Sequence, residues 1–233
     1  MRLVRILRQS SSQEARHRID RPTVAGLILA AGEATRLGEP KAAAVAHGKT
    51  FAGHVASALQ QGGLSRILAV VGIHETASAS AFGSIAGVEC LQIGHPERGP
   101  IASLCLGLER LSQSTSCTGV VVAPVDHPDI QAATITSVLE AAASSSRPIV
   151  VPCHTGKRGH PTYFAREIWP EFAAPDLHEG ARSVVRRDET RVLEVEVPDH
   201  GILRNIDTPT SLARWQQTEP RRTPAGPAKT QRD

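Results

Sequence analysis

Cationic residues and residues with little or no side chain are concentrated in one segment, Leu29-Ala-Ala-Gly-Glu-Ala-Thr-Arg-Leu-Gly-Glu-Pro-Lys41, directly after the apolar run Val24–Ala30. Small residues at a strand exit let backbone N–H groups approach polyphosphate oxygens, which bulkier side chains obstruct. Arg36 adds a planar guanidinium that binds phosphate oxygens in a fork, and Lys41 adds a compact point charge. Pro40 stiffens the backbone just before Lys41. Leu29, Ala30, Ala31 and Gly32 are therefore candidate nucleotide-binding positions, and Arg36 and Lys41 are candidate catalytic cations on the same ligand. The spacing is neither the GxGxxG of dinucleotide-binding folds nor the GxxxxGK[ST] of the P-loop. The plain alternative is an ordinary Gly-containing strand-to-helix turn followed by a solvated basic residue, and Gly32 alone would mark no more than that.

The segment resembles the signature LxxGxxxRxGxPK of the nucleotidyltransferase superfamily that includes sugar-phosphate and molybdopterin nucleotidyltransferases, with every fixed position present. Three further segments extend the resemblance over residues 24–217. Val120-Val-Val-Ala-Pro-Val-Asp126-His-Pro128 is similar to the family strand that ends in an aspartate two residues before a proline. This implies that Asp126 is a Mg2+ ligand and a member of the catalytic set. Asn205-Ile-Asp207-Thr-Pro209 resembles a late [DN]x[DN]TP element and implies Asp207 as a second metal ligand. A hard dication takes oxygen ligands and completes its shell from phosphate and water. Both aspartates also have a plain structural reading: Asp126 as cap of a helix starting near Gln131, and Asp207 as cap of one over Thr210–Gln217.

Gly156-Lys-Arg-Gly159-His160-Pro161 and Gly180-Ala-Arg182 match the GxxGHP and GAR elements of molybdenum cofactor cytidylyltransferase-like proteins. In that group these elements line the acceptor side, which implies Gly159, His160, Pro161 and Arg182 as acceptor-binding residues. Lys157 and Arg158 would cradle an acceptor phosphate, with His160 orienting it; a plain hairpin with solvated charges is the alternative. For Arg182, the alternative is a solvated helix face. Gly99-Pro-Ile-Ala-Ser103 aligns with the family segment that meets the base, implying Gly99 and Ser103 as nucleotide-binding. Free N–H groups at a helix start favour polar or anionic ligand atoms. The family often has Asn or Asp a few residues earlier, where this chain has Gly94-His-Pro-Glu97. His47, His54, His74, His127, His154 and His178 share no metal spacing, although His127 stands beside Asp126.

The resemblance implies Mg2+-dependent transfer of a nucleotidyl group from an NTP to a phosphorylated acceptor, with release of pyrophosphate. The Ala30-Ala31-Gly32 form of the loop, with the GHP and GAR elements, is similar to the cytidylyl-transferring branch. The guanylyl-transferring branch more often has paired glycines there. CTP and molybdopterin or the molybdenum cofactor are thus the expected substrates, with a molybdoenzyme as an expected protein partner. A sugar 1-phosphate or another small phosphate is the rival acceptor. A nucleotide-binding molybdoenzyme accessory protein without turnover is the rival from another class. Joint retention of Arg36, Lys41, Asp126 and Asp207 argues against that second rival.

These residues need strand ends that converge. Short apolar runs at Val24–Ala30, Arg66–Val71, Val88–Ile93, Gly119–Ala123 and Pro148–Val151 read as buried strands. Thr50–Gln61, Pro100–Leu111 and Gln131–Ser144 read as helices between them, with Thr50 a cap and Gly62-Gly63 a stop for the first. Tyr163–Trp169, His178–Arg187, Val192–Val197 and Thr210–Gln217 follow at irregular spacing. The alternation predicts an α/β fold, a three-layer doubly wound and mostly parallel sheet of the Rossmann-like nucleotidyltransferase type. The irregular second half predicts an antiparallel strand.

Composition narrows the function classes. The 233 residues are 40% hydrophobic and 21% charged, which suits one globular domain, and at 3% aromatic the core must be aliphatic. The formal charge of +3 resides at the ends: residues 1–21 carry +4 and residues 218–233 carry +2, which leaves −3 on 22–217. A nucleic-acid reader would concentrate positive charge and stacking aromatics on its folded surface, so no nucleic-acid partner is expected. No apolar run approaches the roughly 20 residues that span a bilayer, and Arg2, Arg5 and Arg8 interrupt any secretory h-region. Cys90, Cys105, Cys117 and Cys153 show no metal spacing and read as free thiols in a reducing cytoplasm. Residues 1–21 and 218–233 read as flexible tails around a nucleotidyltransferase domain at 22–217.

Overall fold

The computed structural model describes residues 23–32, 36–174 and 177–218. The expected tail at 1–21, all of the expected tail at 218–233 except Thr218, and Glu33, Ala34 and Thr35 of the loop lie outside the described residues; Thr218 is bonded to the Trp215 carbonyl at the last described helix. In chain order the elements are β1 (Thr23–Ala30), β2 (Val45–Ala46), β3 (Lys49–Thr50), α1 (Phe51–Gln61), β4 (Ile67–Gly72), α2 (Thr76–Gly83), β5 (Val88–Ile93) and α3 (Pro100–Ser112). There follow β6 (Cys117–Pro124), α4 (Ala132–Ser144), β7 (Ile149–His154), β8 (Lys157–Arg158), β9 (Thr162–Ala165), α5 (Ala181–Arg187), β10 (Val192–Glu196) and α6 (Pro209–Gln216).

The main sheet runs β10-β7-β9-β6-β1-β4-β5, with β8 paired to β7. β1 is parallel to both β4 and β6, and β4 is parallel to β5. The expected antiparallel strand is β9, inserted between β6 and β7 and antiparallel to both. The chain leaves β1 towards β4 and β5, then crosses back through α3 to β6 on the other side of β1. That reversal opens a crevice beyond the carboxyl ends of β1 and β6, where doubly wound sheets bind ligands.

Strand alternation divides the core into two layers. On β1, Ile28 and Ala30 join Phe51, Val55, Leu59, Ile135 and Trp215 on one face. Leu27 and Ala31 join Leu104, Leu108, Phe172 and Val184 on the other. Burial of each such large apolar side chain stabilises the fold by about 1.5–3 kcal/mol. α3 lies so close against β1 that a β-carbon on Gly107 would come within 2.5 Å of the Leu27 side chain.

Thr50 caps α1 as expected, its Oγ1 accepting from the Gly53 N–H at 3.0 Å. α2 and the β2–β3 hairpin were not expected. α2 has only Ser78 and Phe82 buried, so its sequence lacks a helical apolar stripe. The hairpin turns at His47-Gly48, both at positive φ, a conformation favoured in two-residue loops. Among the described residues no helix is long and apolar enough to cross a membrane, and all four cysteines are free.

Candidate active site

The strand ends meet as the crevice requires. Leu29 pairs with Pro124 in the β1–β6 register, and the Val125 N–H donates to the Leu29 carbonyl at 3.0 Å. Asp126 therefore emerges beside the start of the loop. Lys41 opens a short 3-10 turn over Lys41–Ala43, anchored by Ala42 and Ala44, which are 1% and 0% exposed. The Ile206 N–H donates to the Asp126 carbonyl at 2.8 Å, bringing the Asp207 segment alongside.

Two ion pairs join the four residues. Lys41 Nζ donates to Asp126 Oδ2 at 2.8 Å, and Arg36 lies 2.8 Å from Asp207 Oδ2. The first pair is mostly buried, whereas the Arg36 side chain is 72% exposed. Asp126 Oδ1 accepts from His127 Nδ1 at 3.0 Å. Burial alone would raise the Asp126 pKa, but the hydrogen bonds from His127 and Lys41 outweigh it. They hold the carboxyl well below the usual carboxylate range.

Neither aspartate caps a helix. Thr208 caps α6: its Oγ1 accepts from the Ser211 N–H at 3.1 Å, and Ser211 Oγ accepts from the Thr208 N–H at 3.1 Å. At α4 the carboxylate at the helix start is Asp199, which accepts from the Gln131 N–H at 2.9 Å and from Thr134 Oγ1 at 2.8 Å. Asp199, 2% exposed, also accepts from the Gly201 N–H and so fixes the following turn. Nothing in its local sequence distinguishes it, because its partners on α4 lie 65–68 residues away.

The GxxGHP element packs onto this turn. The His160 N–H donates to the Ile202 carbonyl at 3.0 Å, and a β-carbon on Gly159 would stand 2.4 Å from that same oxygen. The His160–Pro161 peptide is cis. The His160 ring meets His127 edge to face, with centroids 4.9 Å apart. Its Nδ1 is buried, with no hydrogen-bond partner among the described residues. Burial, aided by His127 and Arg182 and opposed by Asp126, pushes the imidazole down to about 4. His160, Arg182 and Asp126 thus lie within one electrostatic neighbourhood.

Of the two readings for Arg158, the structure shows the hairpin with surface charges. The residue pairs with both Glu189 and Glu194, which places it in a surface ion cluster on the β8–β10 side. Arg182 forms no ion pair among the described residues, whereas Arg186 and Arg191 are paired to Glu179 and Glu171. Gly180 packs against Ile101 of α3, so the GAR element meets the segment expected at the base.

In that segment Gly99 has φ +82°, and among the described residues no side chain caps the start of α3. Ser103 is 3% exposed on the core side of the helix and is not a surface hydroxyl. His95 and Glu97 pair with each other at 3.0 Å. A cavity of about 660 Å3 runs along α3, lined by residues including Ile93, Arg98, Cys105 and Phe172. It contains none of Arg36, Lys41, Asp126 or Asp207.

The donor set fits a hard divalent cation. Asp126 and Asp207 supply carboxylate oxygens only, matching cations that draw their remaining ligands from substrate phosphate and water. Among the described residues no group of three or more His, Cys, Asp or Glu is arranged to hold a metal unaided.

Comparison with known proteins identifies the family and the fold. Residues 26–192 match the model of the MobA-like NTP transferase domain. No curated protein matches the sequence closely enough to serve as a relative. Among solved structures, the fold is similar to Rv0371c from Mycobacterium tuberculosis H37Rv. The TM-score is 0.73 at 24% identity, covering 84% of this chain and 98% of that one. The manganese complex of Rv0371c gives a TM-score of 0.64 at 24% identity, covering 76% and 89%. A CMP:2-keto-3-deoxy-manno-octonic acid synthetase complexed with CTP gives 0.63 at 14% identity, covering 83% and 97%. Because the match at residues 26–192 spans most of its length, the chain belongs to the MobA-like NTP transferase domain family and is a nucleotidyltransferase.

Proposed function

We propose that the protein transfers a cytidylyl group from CTP to the phosphate of molybdopterin or the molybdenum cofactor and releases pyrophosphate. The observation that carries this reading is the convergence of Arg36 and Lys41 with Asp126 and Asp207 at the carboxyl ends of β1 and β6. Support for CTP comes from the Ala30-Ala31-Gly32 form of the loop and from the CTP complex of a fold neighbour. Support for the acceptor comes from the GHP and GAR elements, with Arg182 left without an ion-pair partner among the described residues. Gly159 and Pro161 shape that side, and His160 orients the acceptor.

In the reaction an acceptor phosphate oxygen bonds to the α-phosphorus while the bond from that phosphorus to the bridging oxygen breaks and pyrophosphate departs. Lys41 and Arg36 bind the β- and γ-phosphates and offset the charge that accumulates on the leaving group. Leu29, Ala30, Ala31 and Gly32 supply close backbone approach, and Gly99 with the start of α3 supplies N–H groups for the nucleotide. Asp126 and Asp207 would hold a divalent cation, Mg2+ by preference, which when bound neutralises phosphate charge. Fold neighbour Rv0371c was solved with manganese, which supports a divalent ion here. Catalysis then rests on positioning and charge, with no covalent protein intermediate.

Pyrophosphate release from each of the four NTPs, with and without molybdopterin, tests the reading. Release that requires CTP and molybdopterin together is expected. Release driven by a sugar 1-phosphate with any NTP, and not by molybdopterin, would overturn the acceptor assignment.

A further inference from the structure

Asp126 is held through every polar atom it carries beyond its N–H. Its carbonyl accepts from Ile206, Oδ2 from Lys41 and Oδ1 from His127. A carboxylate rotates through a broad range about its terminal torsion unless both oxygens are engaged. On the reading proposed above, entry of nucleotide draws Lys41 to the phosphates and weakens its hold on Oδ2. His127 is then the side-chain donor left to fix the plane of the carboxylate.

His127 is built for that task. It is 8% exposed, and its N–H donates to the Pro124 carbonyl at 3.3 Å. The His160 ring stands against it at an interplanar angle of 73°. His160 is itself fixed through Ile202, on the turn secured by Asp199. Because Asp126 is ionised and can only accept, the hydrogen between them belongs to His127 Nδ1.

We propose that His127 is a positioning residue: resting on the metal-dependent transfer proposed above, it donates Nδ1–H to Asp126 Oδ1 and fixes the carboxylate that meets the metal–nucleotide complex. Partners that orient a metal-binding group typically change metal affinity about 10–100-fold when removed.

The test compares wild type, His127→Leu and His127→Asn. It follows Mn2+ binding by electron paramagnetic resonance in the presence of α,β-methylene-CTP, with urea unfolding as the measure of fold. His127→Leu, which removes the donor, should weaken Mn2+ binding about 10–100-fold. His127→Asn, whose amide can donate to the same oxygen, should regain most of it. Wild-type binding in His127→Leu, or equal losses in both variants, would overturn the proposal. Asp126→Asn is the control for the underlying reading: if it binds Mn2+ as wild type does, the metal assignment fails. If Asp126→Asn loses binding and His127→Leu does not, only the positioning role fails. Should the leucine variant not fold, 15N NMR of wild-type histidines with Mg2+ and the same analogue decides. A protonated Nδ1 at His127 supports the role, and a proton on Nε2 with bare Nδ1 sinks it.

Discussion

Lys41 Nζ stands 2.8 Å from Asp126 Oδ2, although 85 residues separate them in sequence. The cation suited to phosphate and the carboxylate suited to metal neutralise one another, and Arg36 with Asp207 repeats the arrangement at 2.8 Å. A metal alone must displace the cations from the carboxylates, and a triphosphate alone must draw the cations away. Arriving together, each satisfies what the other releases, so nucleotide and metal should bind with positive coupling.

Lys41→Ala should therefore do more than remove a phosphate ligand. Asp126 would keep His127 but lose its charged partner in a mostly buried position, at a cost of about 1–3 kcal/mol in stability. Turnover should fall by about 100-fold or more, as for loss of a donor that stabilises developing charge. Mn2+ binding to the nucleotide-free variant should tighten. Urea unfolding, pyrophosphate release and a Mn2+ titration read these three outcomes; unchanged kinetics in a folded variant would remove Lys41 from the site.

Asp126→Asn should fold and lose metal-stimulated turnover, since an amide oxygen is a weaker ligand than a carboxylate. Asp207→Asn should be milder, because Asn is acceptable at that position in the family element. The helix cap belongs to Thr208 and stays intact. Rate against Mg2+ concentration for the two variants checks the order; full activity of Asp126→Asn at limiting Mg2+ would refute it.

Acid should destabilise the protein from near neutrality downward. His160 is held to about 4 in the folded state against an ordinary 6.5, so the unfolded chain takes up the proton first. Its contribution is complete above about 6.5 and is lost as pH falls towards 4, amounting to about 1–3 kcal/mol. Asp126, depressed in the folded state, acts in the same direction at lower pH, below the ordinary carboxylate value of about 3.9. Urea midpoints should fall between pH 7 and 4.5, and His160→Phe, which keeps a ring without the ionisation, should flatten that slope.

Gly159→Ala should be costly despite its small size. Its β-carbon would lie 2.4 Å from the Ile202 carbonyl oxygen, so the hairpin must lift off the turn that holds His160. Overpacking of this kind costs about 1–3 kcal/mol. The KM for acceptor should rise more than that for CTP; equal stability to wild type would show that the two segments separate easily.

A chain cut to residues 22–218 should fold and transfer to a free small acceptor at nearly the full rate. Thr218 is kept because its N–H and Oγ1 both donate to the Trp215 carbonyl at the end of α6. If the basic ends serve an acidic partner such as a molybdoenzyme, only delivery to that partner should suffer, most at low salt. Loss of cooperative unfolding in the shortened chain would place the ends within the fold.

What the sequence determined by itself is local. An apolar run followed by small residues and two spaced cations defined β1 and its loop. Punctuation by Gly and Pro placed the main strands and three long helices within a few residues, because hydrophobic periodicity and turn chemistry act over one element. α2 escaped because an alanine- and serine-rich segment with little buried surface carries no stripe. Only the tertiary structure decided what each polar group bonds to. Asp126 and Asp207 had capping as an alternative local reading, and it fell to Asp199 and Thr208 instead. Arg158, read either as a phosphate ligand or as a solvated hairpin charge, pairs with Glu189 and with Glu194 of β10. Lys41 on Asp126, and His160 behind His127, are pairings across the strand ends of a doubly wound sheet. Burial makes each such partner matter energetically, and burial depends on which distant segments close over it.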